Sequence, residues 1–281
     1  MLRKREPATP RVAPGDEENF GKLMKWLFQN ALPPDCILVN AQSVADDMLN
    51  RSRMETGWDL LAVPRAMPPY SSMWMEFNYP DGGKDRRYAV QTIRTPPVHS
   101  SEHTRLYMAV WMDDCGVMFG PGCLGWCGLD ESGEIIPGDV EALIFAEPSV
   151  PVDEKARSRF DDQWKFVMAT SVHAISRMNC TNVELRPIKE GKSKPHAPNK
   201  VVPASVWHEI VITSVPKVRT TGQDIFEHEE SEIRLHWVRG HYADYRKGNG
   251  LFGRIKGLFW IPEHRRGNEE LGQIIPEYTI Q

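Results

Sequence analysis

The stretch Ser72-Met73-Trp74-Met75-Glu76-Phe77-Asn78-Tyr79, stopped by Pro80-Asp81-Gly82-Gly83, decides how the chain folds. Aromatic and large apolar side chains suit a pleated surface, and the Pro-Asp-Gly-Gly cluster ends the run in a turn. Arg87–Arg94, Thr104–Met112 and Val140–Glu147 repeat the pattern. Pro96-Pro97, Gly120-Pro121-Gly122 and Glu131-Ser132-Gly133 punctuate them. The spacing predicts a meander of short strands. More strands are expected at Asn182–Ile188, Ser205–Ser214, Glu232–Arg239, Lys256–Ile261 and Ile274–Ile280. Lys189–Asn199 is a basic loop between the first two of these, and Gly222–Ser231 is an acidic one.

Helical spacing enters at three places. Pro151–Met178 opens with Asp153 and Glu154, which suit the positive end of a helix. Its apolar positions, Phe160, Trp164, Phe166, Val167, Met168, Val172, Ile175 and Met178, occupy more than one face. Such a helix is buried against a sheet. Asp16 caps a second helix carrying Phe20, Leu23, Met24 and Leu27, which Pro33-Pro34 ends. A third runs from about Ser43 to Asn50. Met1–Gly15 is a loose, Pro-bearing tail. The expected fold class is α+β: a mainly antiparallel or mixed sheet packed on one long central helix, with a short N-terminal helical cap. One domain over 16–281 is the first reading, and a division near 148–151 is the alternative.

The chain has 281 residues, 41% hydrophobic and 26% charged. That excludes a wholly disordered chain, a fibrous repeat and a bundle of membrane helices. Met1–Arg5 is basic, but Pro7–Gly15 is polar and has no apolar run behind it, unlike a secretory signal. With five cysteines, an odd number, the expectation is a cytoplasmic protein with free thiols.

Net charge is −4, but it is segregated. His236–Gly267 holds seven Lys/Arg against two acids, a net +5, so the rest of the chain carries −9. Aromatics interleave these charges. Read as two strands joined by a glycine-rich connection, the segment gathers His241, Tyr242, Tyr245, Arg246, Arg254, His264 and Arg265 about one hairpin. Arginine binds phosphate bidentately, and aromatic rings stack on unpaired bases. The expected ligand contacts are Arg239, His241, Arg246, Arg254 and Arg265, with Tyr242 and Tyr245 stacking. His241 and His264 are the candidate acid–base pair for metal-independent RNA cleavage. The same residues also fit a plain hairpin, with Trp237, Phe252, Phe259 and Trp260 as core and the charges as a solvated rim.

Other chemistry is thinner. Cys115, Cys123 and Cys127 cluster, but zinc sites want two close ligand pairs, so small buried thiols in a tight meander explain them better. No metal or cofactor is expected. Asp46-Asp47, Asp113-Asp114, Asp161-Asp162 and Glu227–Glu232 supply carboxylates for a magnesium nuclease only if distant pairs converge, because adjacent acids diverge. Ser43, Ser171 and Ser205 lack a nucleophile-elbow context. Gly248–Gly253 precedes a strand rather than a helix, which excludes a phosphate-binding loop of the nucleotide-hydrolase kind.

Two segments carry a resemblance. One is Pro68-Pro69-Tyr70-Ser71-Ser72-Met73-Trp74-Met75-Glu76-Phe77. The other is His236-Trp237-Val238-Arg239-Gly240-His241, continued by Leu251-Phe252-Gly253 and Trp260-Ile261-Pro262-Glu263-His264-Arg265-Arg266-Gly267. Together they resemble segments of a family of uncharacterised proteins from bacteriophages, prophages and actinobacterial genomes. The resemblance implies a phage-type protein and assigns no activity or catalytic residue. The expected function is nucleic-acid association, with RNA or DNA on the C-terminal hairpin and no membrane. Docking of an acidic host protein on the same basic face is the alternative, since complementarity of charge serves either partner.

Overall fold

A computed structural model describes residues 36–52, 63–81, 84–95, 103–114, 117–144, 154–188, 206–213, 234–238, 240–251 and 253–273. The tail, the expected helix after Asp16, the boundary at 148–151, both expected loops and the strand at 274–280 lie outside these residues.

Strand β1 (Ile37–Asn40) enters the middle of an eight-stranded sheet. It runs parallel to β2 (Ser72–Asp81) on one side and to β8 (Trp207–Ile212) on the other. Parallel neighbours need a crossover, and helix α1 (Gln42–Ser52) lies between β1 and β2 in the chain. Asn40 caps that helix, its Oδ1 accepting from the Gln42 amide at 3.0 Å. From β2 the chain meanders antiparallel through β3 (Lys84–Thr95), β4 (Thr104–Asp114), β5 (Val117–Leu129) and β6 (Ile135–Ile144). Helix α2 (Glu154–Met178) then leads from β6, one edge, to β7 (Val183–Pro187), the other, where β7 pairs antiparallel with β8.

Strand alternation divides the sheet into two faces. On one, Val39, Met73, Met75, Phe77, Val90, Leu106, Met108 and Val110 join Val44 and Met48 of α1 and Phe166, Val172 and Ile175 of α2 in one core. On the other, Leu38, Trp74, Ala89 and Trp111 are buried together, with Cys36 and Trp207 against them. Trp74 and Trp111 lie 5.8 Å apart, ring to ring.

The α+β expectation is therefore corrected. Strands hold 56% of the described residues, which include just two helices. The organising element is the eight-stranded sheet, not one long central helix, and the N-terminal cap falls outside the described residues. The reason is local. Gly120-Pro121-Gly122 does not end a strand: β5 runs through it, beside a shift of register between Val110 and Met112. β1 is too short to announce itself. No helix among the described residues is long and apolar enough to cross a membrane.

Candidate functional site

The basic segment folds as an antiparallel ribbon. Strands β9 (Arg234–Val238) and β10 (His241–Asp244) run against β12 (His264–Arg266) and β11 (Leu258–Ile261). Pairing keeps one register from Asp244↔Leu258 through His241↔Ile261 to His236↔Arg266. The ladder is interrupted at Pro262, which has no amide hydrogen to give. β13 (Asn268–Gln273) lies parallel to β9 on its free side.

The near end of the ribbon is fastened to α2 and the turn after it. The Asn182 amide donates to the Trp260 carbonyl at 2.7 Å and accepts from the Trp260 amide at 2.9 Å. The Thr181 amide donates to the Leu258 carbonyl at 2.7 Å. This approach requires glycine at 257, where φ is +153° and a Cβ would stand 2.2 Å from Thr181 Oγ1. The Arg177 guanidinium sits 4.0 Å from the Trp260 ring centroid and forms an ion pair with Asp47 of α1. Tyr242 meets Trp260 edge-on at 4.7 Å. Its hydroxyl donates to the His173 carbonyl at 3.3 Å and lies 3.2 Å from His173 Nδ1. Burial pushes both the Tyr242 hydroxyl and the Cys180 thiol up to about 12.

This anchoring takes several expected ligand contacts out of reach. Tyr242 is inside the anchor, not a stacking platform. Tyr245 is half-buried, edge-on to buried Phe259 at 6.1 Å. Arg246 is bound internally: it donates to both Asp244 oxygens, at 3.0 and 2.7 Å, and to the Pro64 carbonyl at 3.2 Å. Glu134 stands 3.7 Å away. The Asp244 hydrogen bond holds the Arg246 guanidinium above its ordinary value, and the same contact holds the Asp244 carboxyl down.

Four expected residues are exposed: His241, Arg254, His264 and Arg265. Arg239 lies outside the described residues. His264 is exposed on β12, and its ladder partner Val238 is three residues from His241, about 10 Å along the strand. The expected His241–His264 pair therefore does not converge on one phosphate. What the ribbon does bring together is Arg265 and Trp237, opposite each other across β12 and β9. The guanidinium carbon is 4.9 Å from the indole centroid, and Trp237 is 48% exposed. The plain-hairpin alternative would place Trp237 in the core; it is instead one of the hairpin's most accessible apolar groups.

The remaining candidates scatter. Cys127 is a buried thiol in β5, Cys123 of β5 pairs with Val110 of β4 and Ile144 of β6, and Cys115 lies outside the described residues. Asp46 accepts from Gln42 and Asp47 pairs with Arg177. Among the described residues, no group of three or more His, Cys, Asp or Glu side chains is placed to hold a metal ion. No protein-family model, curated protein or solved structure matches the chain.

The anchor residues His173, Arg177 and Asn182 were missed by sequence reasoning, though a signal existed for one. Arg177 sits in the last turn of a helix apolar on more than one face, a place where a buried charge calls for a partner. His173 and Asn182 gave no such sign.

Proposed function

We propose that this is a cytoplasmic, phage-type nucleic-acid-associated protein that takes single strands on the far part of its C-terminal ribbon. The observation that carries the reading is the exposed Trp237–Arg265 pair. An accessible indole offers a stacking surface worth about 1–3 kcal/mol per base, and a guanidinium beside it supplies phosphate contact. Arg234, Arg254 and Arg266 are exposed on the same ribbon and its loop. The acids of β13, Glu269 and Glu270, confine the basic surface to the β12 side of β9.

The test is binding of labelled single-stranded RNA, single-stranded DNA and duplex DNA at about 50 and 200 mM salt, with EDTA throughout. Wild type should bind single strands more tightly than duplex, and more weakly at the higher salt. The folded Trp237→Ala/Arg265→Ala variant should lose at least tenfold in affinity. Absence of binding to all three probes overturns the reading and leaves the basic surface to an acidic protein partner.

A further inference from the structure

The basic surface continues past the far part of the ribbon. The connection from β10 to β11, residues 245–257, carries Arg246, Lys247, Arg254 and Lys256 and no acid. Arg246 is held by Asp244, whereas Lys247, Arg254 and Lys256 stand exposed.

The connection is a built turn. The Leu251 amide donates to the Ile255 carbonyl at 2.7 Å, and the Ile255 amide donates back to the Leu251 carbonyl at 3.0 Å. The Arg254 amide donates to the same Leu251 carbonyl at 3.1 Å, which fixes the backbone that carries the guanidinium. Gly250 has a φ of +82°, and a Cβ there would stand 2.8 Å from the Ile255 carbonyl oxygen. At the root, the Tyr245 amide donates to the Gly257 carbonyl at 2.8 Å, and Gly257 packs on Thr181. Three cations therefore project from a turn that is tied to the body of the protein.

This turn and the Trp237–Arg265 pair lie on one ladder, in one register from Trp237↔Arg265 to Asp244↔Leu258. Eight residues separate Trp237 from Tyr245, about 26 Å at about 3.3 Å per residue. Between them, His241 and Asp244 of β10 are exposed, and the Asp244 carboxylate is met by Arg246. Glu134, 3.7 Å from Arg246, is a second acid at the root, and Glu263 is exposed between β11 and β12. A polyanion therefore has its better path along β10.

We infer that Lys247, Arg254 and Lys256 form a second phosphate-binding station, so that the ligand is one continuous single strand of about eight nucleotides or more. The inference rests on the reading that the Trp237–Arg265 pair holds nucleic acid. One charge per about 3.4 Å of stacked strand sets the length. Arg254 suits a bidentate phosphate contact, and the lysines act as point charges.

The test measures binding of the full chain to labelled oligothymidylates of four, eight and sixteen nucleotides at about 100 mM salt, with EDTA. Affinity, corrected for the number of registers on each probe, should climb from four to eight nucleotides and level off by sixteen. The Lys247→Ala/Arg254→Ala/Lys256→Ala variant, checked for native circular dichroism, should lose at least tenfold on the sixteen-mer. Its salt slope there should be shallower by about 2. The four-mer should stay within twofold, because it is held by stacking on Trp237 and the turn lies beyond the screening length of about 10 Å. Trp237→Ala should weaken both lengths. Arg254→Gln alone should repeat the length dependence at about threefold. Equal loss on both lengths, no loss on either, or a flat length series overturns the second station and leaves binding at Trp237–Arg265 standing. No binding of any probe overturns both.

Discussion

Asn182 holds Trp260 by both of its main-chain groups, the side-chain amide acting as a strand partner at the mouth of the ribbon. Asn182 is buried, so its loss strands two backbone groups away from water. Each unpaired group costs about 1–3 kcal/mol. Asn182→Ala should therefore lower stability by about 2 kcal/mol or more, read as the midpoint of urea unfolding. Asn182→Asp should fare no better, because a carboxylate cannot donate to the Trp260 carbonyl. An unchanged midpoint contradicts this role.

Arg177 is the second fastening. Its side chain is 3% exposed, and it bridges Asp47 on α1 to the Trp260 ring on the ribbon. Breaking a buried pair costs about 3–5 kcal/mol because one charge stays behind unpaired. Arg177→Ala and Asp47→Ala should each destabilise. The double variant should lose less than the two single losses together, by at least about 0.5 kcal/mol in a double-mutant cycle. Simple additivity contradicts the pairing.

Cys180 is buried, and its thiol is pushed up to about 12 by that burial. The thiolate is the reactive form. Peptide mapping after iodoacetamide at pH 8 should find Cys180 unmodified in the folded chain and fully modified in urea. Equal labelling in both contradicts its placement.

The Asp244 carboxyl is held below its ordinary value of 3.8, chiefly by its hydrogen bond to the Arg246 side chain. A depressed folded value means the contribution is complete above the unfolded value. It is lost as pH falls through the folded one. The Asp244 side chain is 39% exposed and screened by solvent, so the term is small, under about 1 kcal/mol. The loss of stability between pH 7 and pH 3 should be slightly smaller in Asp244→Asn than in wild type. Equal losses contradict the linkage.

How much of this was legible in the sequence varies by element. The strands from Ser72, Arg87 and Thr104 were, because aromatic and branched runs stood between strong turn formers. Helix Glu154–Met178 was, by its period and its acidic start. β5 was not, since a Gly-Pro-Gly run reads as a turn unless its neighbours' register is known. At the ribbon, composition marked the segment but could not say which aromatic faces inward. Tyr242 and Trp237 have similar surroundings in sequence. What separates them is Arg177 and Asn182, distant residues that claim the near end.

The measurement that bears most directly on the account is the salt dependence of single-stranded DNA binding, wild type against Arg265→Ala. Each phosphate contact contributes about 0.7 to the slope of log affinity on log salt for a single strand. The account predicts weaker binding and a slope shallower by about 0.7 in the folded variant. Equal affinity and equal slope for the two proteins would contradict it.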